Sequence, residues 1–162
     1  MKRASHNFGF TLLELVLVLA ILAAVMSMAA PTLRGWRQGA DLRNCAEGFV
    51  AATHWARTRA ASNARVYVVV IDAQNGAFAV KIQDGQNLKD SEGEFNQPIS
   101  VPQGGTIQAM NSSRAAVNSI HFYPTGRVEP AVVRIADASG QTLTVECDSP
   151  ADDFAIARQG QN

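Results

Sequence analysis

Residues 10–30 constrain this chain more than any other stretch. Of these 21 residues, only Thr11, Glu14 and Ser27 are not apolar. Wound as an α-helix at 1.5 Å per residue, the run is about 31 Å long, enough to cross the hydrocarbon core of a bilayer. A helix that is apolar on every side needs lipid or other chains around it. One charge interrupts the run. Glu14 lies about one turn after Phe10, and a carboxylate near a bilayer's centre costs roughly 2.5–3.5 kcal/mol. Such a charge calls for a partner.

A short basic leader, residues 1–9, precedes the run. Lys2 and Arg3 fit a cytoplasmic N-terminus, because positive residues are retained on that side. Three readings of the first 30 residues compete. One is a secretory signal peptide cut after the small residues Ser27-Met28-Ala29. The run is long for that, and Glu14 is out of place. A second is a plain membrane anchor, which leaves Glu14 unexplained. The third is a cut between Gly9 and Phe10 that leaves the whole apolar helix on the mature chain.

Gly9-Phe10-Thr11-Leu12-Leu13-Glu14, followed by about twenty apolar residues and Pro31, resembles the type III signal sequence of type IV pilins and type II secretion pseudopilins. The resemblance favours the third reading. It implies that a prepilin peptidase cuts between Gly9 and Phe10 and methylates the new amine of Phe10. It also implies that Glu14 meets the N-terminal amine of a neighbouring subunit during filament assembly. A buried carboxylate and amine attract strongly, and leaving either alone is costly. Glu14 can also interact with its own helix N-terminus.

Pro31 is expected to end or kink the helix, since it lacks an N–H and clashes with the preceding turn. The helix is expected to resume near Ala40 and to reach about Ser62. Leu42, Ala46, Phe49, Thr53, Ala56 and Ala60 form a mostly apolar stripe at three- and four-residue steps, suited to packing on a sheet. His54, Trp55 and Arg57 read as packing rather than ligand contacts.

The remainder alternates strand and turn signals. Strands are expected at 66–71 and 78–82 around Asn75-Gly76, a hairpin signal. Residues 83–98 read as a long polar loop. Its Asp84, Asp90, Glu92 and Glu94 lack EF-hand spacing and read as solvated. Further strands are expected at 99–101, 106–109, 119–122, 132–136, 143–147 and 154–157. His121 reads as packing. The fold class is therefore α+β, with one long N-terminal helix, its first half transmembrane, on a mostly antiparallel β body. The expected divisions are a leader at 1–9, a membrane and filament-core helix at 10–30, a periplasmic half-helix at 31–63 and a β-rich head at 64–162.

Charge and cysteines limit the function classes. Through Arg65 there are eight bases and three acids; from Val66 onward there are six bases and eleven acids, 6 − 11 = −5. A body this acidic suits no general nucleic-acid binder. Cys45 and Cys147 are either a disulfide closing a loop of about 100 residues or two buried thiols. No Cys/His spacing suggests a metal. No Gly-x-Ser-x-Gly elbow or phosphate loop suggests an enzyme, and His6, His54 and His121 are scattered.

Trp55-Ala56-Arg57-Thr58-Arg59-Ala60-Ala61, the Val-rich strand, and Phe122-Tyr123-Pro124-Thr125-Gly126-Arg127 resemble the H-type minor pseudopilin domain (the GspH/FimT family). That resemblance implies a pilin-like fold and a structural minor pseudopilin of type II secretion, with no cofactor. It implies other major and minor pseudopilins, the prepilin peptidase, an inner-membrane assembly platform and the membrane as partners. The body would face the periplasm from a single-pass anchor in the inner membrane. The alternative is a minor type IV pilin in pilus assembly, DNA uptake or adhesion. The acidic Asp148-Ser149-Pro150-Ala151-Asp152-Asp153 departs from the basic tail of DNA-binding relatives.

Overall fold

A computed structural model of the chain describes residues 11–157, with the side chains of residues 27–38 excepted. The expected cleavage and methylation site at Gly9 and Phe10 lies outside the described residues. The chain divides into two units, Met1–Arg37 and Gln38–Asn162.

Helix α1 (Leu12–Asn63) contributes to both units. It does not end at Pro31 or restart near Ala40; the helical backbone continues through that region. One missing N–H does not outweigh the backbone bonds on either side of it. In the first unit, Thr11 caps the helix: its Oγ1 accepts from the Glu14 N–H at 3.3 Å and its carbonyl from the same N–H at 3.1 Å. Every residue from Leu12 to Met26 is exposed, the large apolar side chains ranging from 46% at Val18 to 82% at Leu12. Among the described residues, no helix is long and apolar enough to cross a membrane. The expected span includes Phe10 and the side chains of 27–30, which are outside them.

In the second unit the expected stripe is the buried one. Leu42, Ala46, Phe49, Thr53, Ala56 and Ala60 are all buried, joined by Cys45 and Ala52. The four alanines hold the helix surface low, so the sheets can approach closely. Phe49 fills the remaining depth. Its ring meets Phe78 edge-on at 5.1 Å and Phe154 at 6.1 Å.

Among the described residues, ten strands form two antiparallel sheets. The first contains β1 (Tyr67–Asp72), β2 (Ala77–Asp84), β3 (Asn87–Asp90), β4 (Ile99–Ser100) and β7 (Ser119–Phe122). Its order is β3-β2-β1-β7, with β4 also on β2. The register sets Val69 between Val80 and Ile120. The second sheet contains β5 (Thr106–Asn111), β6 (Ala116–Val117), β8 (Ala131–Ala136), β9 (Thr142–Cys147) and β10 (Ala155–Ile156), in the order β10-β9-β8-β5-β6. Val133 pairs with Ala109 on one side and Val145 on the other, and all three are buried.

Residues 83–98 are not simply a loop. Chain reversal at Gly85 lays β3 back on β2, and ion pairs Lys81–Asp90 and Lys89–Asp84 cross the two strands. Two of the four acids in this stretch, Asp84 and Asp90, thus face lysines. The buried Ser91 hydroxyl donates to the Val80 carbonyl at 2.7 Å, and the Val80 N–H donates to the Phe95 carbonyl at 2.9 Å. The β8–β9 turn closes on Asp137, whose Oδ1 accepts from the Ser139 N–H at 2.8 Å and the Gln141 N–H at 3.0 Å.

Gly105 marks the tightest backbone approach. A Cβ there would stand 2.4 Å from the Ala136 carbonyl and 2.8 Å from that of Pro102. Gly105→Ala should cost about 1–3 kcal/mol, the usual penalty of overpacking. Gly48, in mid-helix, has nothing within 4 Å of such a Cβ, so Gly48→Ala should gain about 0.4–1 kcal/mol. Urea denaturation of the two variants checks both signs.

Candidate functional site

Glu14 is the first candidate. It lies in the first turn of α1, where a negative charge complements the positive end of the helix dipole. Thr11 and Glu14 stand in the cap and third helical positions, the spacing of a capping box. Glu14 is exposed, and so is the apolar surface beside it. The arrangement presents a carboxylate on a stretch, 11–26, that carries no other charge. Chemically it can accept a cation; it contains no nucleophile or proton relay among the described residues of the first unit.

The second feature is the turn after β7. The Gly126 N–H donates to the Tyr123 carbonyl at 2.9 Å, and the Tyr123 N–H to the Arg127 carbonyl at 2.9 Å. Pro124 at the second position suits such a turn, and Gly126 takes a φ of 79°, which its missing Cβ permits. The turn returns the chain so that Val128 pairs with Phe122 and Glu129 faces His121. The Glu129 Oε2 accepts from the His121 N–H at 3.1 Å and lies 2.8 Å from His121 Nδ1. Tyr123 donates its hydroxyl to Glu129 Oε1 at 3.0 Å, and the His121 and Tyr123 rings stack at 6.4 Å. His121 is thus half-buried in a polar cluster rather than packed in the core.

Burial works to raise the Glu129 carboxyl, but the His121 ring and backbone bonds outweigh it and hold the group below its ordinary value. The Tyr123 phenol is pushed up, first by burial and then by its bond to Glu129. Such a cluster fastens a hairpin.

Arg57 makes the third feature. Its Nη1 donates to the Asp152 carbonyl and to Asp153 Oδ1, and its Nη2 to the Ala151 carbonyl, each at 2.7 Å. The helix is therefore tied to the acidic stretch before β10. The sequence reading of Arg57 as packing missed this role. The signal was present in a cation at the edge of the buried stripe and a run of acids near the chain's end. Trp55 does pack, edge-on to Tyr67 at 5.7 Å and to Phe95 at 5.9 Å. His54, in contrast, is exposed.

The two cysteines are buried and free, not bridged. Burial pushes both thiols up. The Cys147 Sγ donates to the Ser149 carbonyl at 3.2 Å. Among the described residues no group of His, Cys, Asp and Glu side chains is arranged to hold a metal ion.

Two variants probe these contacts. Arg57→Ala should cost about 1–2 kcal/mol, mostly through the two carbonyl bonds, since Asp153 is largely exposed. Hydrogen exchange should then quicken at the Ala157 and Val128 amides, which bond to Thr144 and Pro150. Glu129 has its pKa depressed in the fold, so its contribution is full above the unfolded value of 4.5 and fades as pH falls through the folded one. Glu129→Gln should therefore lower stability at neutral pH and flatten its decline below about pH 5, as thermal melts across pH will read.

Comparison with known proteins adds the family. Residues 4–30 match the prokaryotic N-terminal methylation motif, and residues 46–160 match the type II transport protein GspH family. Compared with curated protein sequences, the chain has no significant match. Solved structures share its fold. The minor pseudopilin EpsH from the type 2 secretion system of Vibrio cholerae is 10% identical, with a TM-score of 0.64 over 75% of this chain and 99% of that one. The type IV minor pilin FimU of Pseudomonas aeruginosa is 12% identical, with a TM-score of 0.57 over 78% and 95%. The solution structure of E. coli GspH is 16% identical, with a TM-score of 0.55 over 76% and 93%. At such identities the likeness is one of fold, an α+β pilin-like arrangement. The family match covers most of the chain, from mid-helix through the last strand: the chain belongs to the type II transport protein GspH family.

Proposed function

We propose that this chain is a structural minor pseudopilin of a type II secretion system. One observation carries the reading: a methylation motif at 4–30 and a GspH match at 46–160 lie on the same chain, in that order. The prepilin peptidase cuts between Gly9 and Phe10 and methylates Phe10. Residues 10–30 hold the subunit in the inner membrane, with the body in the periplasm, until the assembly platform passes it to the pseudopilus. Pro31 gives the helix a place to bend as it leaves the membrane.

Glu14 then has a physical role. Within a packed bundle of apolar helices, its carboxylate and the methylated amine of a neighbour neutralise one another and set the axial register. The chain's work is assembly rather than catalysis. The alternative, a minor type IV pilin, shares this fold. Its DNA-binding form is poorly served here, because Arg57 is spent on the chain's own acidic stretch.

Mass spectrometry of the mature protein tests the processing. The expected N-terminal peptide begins at Phe10 and carries one methyl group; a start at Ala30 refutes the reading. Glu14→Ala should leave that processing intact. Removing one partner of a buried ion pair costs roughly 3–5 kcal/mol, so incorporation beside other pseudopilins should fall by about a hundredfold or more.

A further inference from the structure

Near the C-terminal end of α1, an open cleft of about 520 Å³ lies between the helix, the start of β1 and the segment after β3. Arg59, Asn63, Arg65 and Tyr67 line one part of it, and Glu92 and Gly93 another. We propose that this cleft binds a single carboxylate side chain presented by a neighbouring filament subunit. The identity of that occupant rests on the filament reading above; the carboxylate chemistry does not.

The cations are uncommitted. Neither Arg59 nor Arg65 forms an ion pair among the described residues. Arg65 acts on Asp84 only through its field, and the Asp84 carboxylate is already bonded to Lys89. Arg59 is also held in place. Its guanidinium carbon lies 5.3 Å from the centre of the Trp55 ring. A cation held over an aromatic ring by its charge still has N–H donors to offer a carboxylate. Trp55 itself cannot retreat. Tyr67 and Phe95 flank it, and Gly93 backs onto it so closely that a Cβ there would lie 2.8 Å from the ring. The donor is thus fixed before any ligand arrives, which reduces the ordering cost of binding.

A third donor is buried. Tyr67 is 3% exposed, yet it lines the cleft. Its hydroxyl oxygen accepts from Asn63 Nδ2 at 2.7 Å, so its proton remains to be given. Two guanidiniums and a phenol proton suit an acceptor with two oxygens. Glu92, which also lines the cleft, brings its formal charge to +1, and the body from Val66 onward carries −5. That balance suits one carboxylate and opposes a polyanion such as DNA.

The test has two arms, both on the full chain. In detergent micelles, arginine side-chain resonances are followed while N-acetyl-glutamate methylamide or its neutral glutamine counterpart is added. The glutamate probe should shift Arg59 and Arg65 at concentrations at least about tenfold lower than the glutamine probe, as charge-assisted bonds require. Arg65→Gln should abolish the difference and Arg65→Lys should keep part of it. Equal response to the two probes, or none, overturns the carboxylate site whatever the filament does. In cells that make the partner subunits, a photo-cross-linker replacing Asn63 should capture an Asp- or Glu-bearing segment of another filament subunit. Capture of lipid, nucleic acid or nothing overturns the occupant. Failure of the probe while incorporation still depends on Glu14 removes the cleft proposal and leaves the filament reading standing. Probe binding by a chain that never enters a filament does the reverse, and removes the occupant with it.

Discussion

Phe49 is where the body is held together. It projects from a helix face otherwise built of alanines and reaches rings from both sheets, Phe78 of the first and Phe154 beside the last strand of the second. Phe122 closes the group against Phe154 at 6.2 Å. Elements separated by most of the sequence therefore share one apolar centre. A buried ring of this size removes some 150–250 Å² from water, more than any other single residue in the stripe can supply. The alanines around it permit the contact by letting the helix lie close.

The polar ties work at the margin of that centre. Arg57 draws in the turn before β10, and Glu129 draws in the hairpin after β7. Both use charged groups at positions that water still reaches, and the bonds are geometrically well formed. This explains why an acidic body tolerates its own charge. Several acids are already matched with cations: Asp153 with Arg57, Asp90 with Lys81 and Asp84 with Lys89.

Much of this architecture was legible in the sequence, for reasons that differ by element. The buried helix stripe was visible because Leu42 to Ala60 repeat at helical spacing and burial depends on that spacing. The β1–β2, β5 and β8–β9 strands were visible because β-branched runs end at Gly, Asn and Asp turns. Strand β3 was not, because all four of its residues are exposed and it is held by backbone pairing and cross-strand charges. The Glu129 cluster was hidden for another reason. It depends on the return of a turn that brings residues eight apart face to face, and no local pattern records that. Pro31 does not stop the helix, since a proline lowers helix propensity without deciding the outcome in a long apolar segment.

The Thr11 cap has a consequence for how such a chain can be processed. The hydrogen bonds that start the helix come from Thr11, two residues beyond Gly9. Under the proposed cut between Gly9 and Phe10, the bonds that Thr11 accepts would stay on the mature chain. The first turn would then keep its own cap while the charge ahead of it changed.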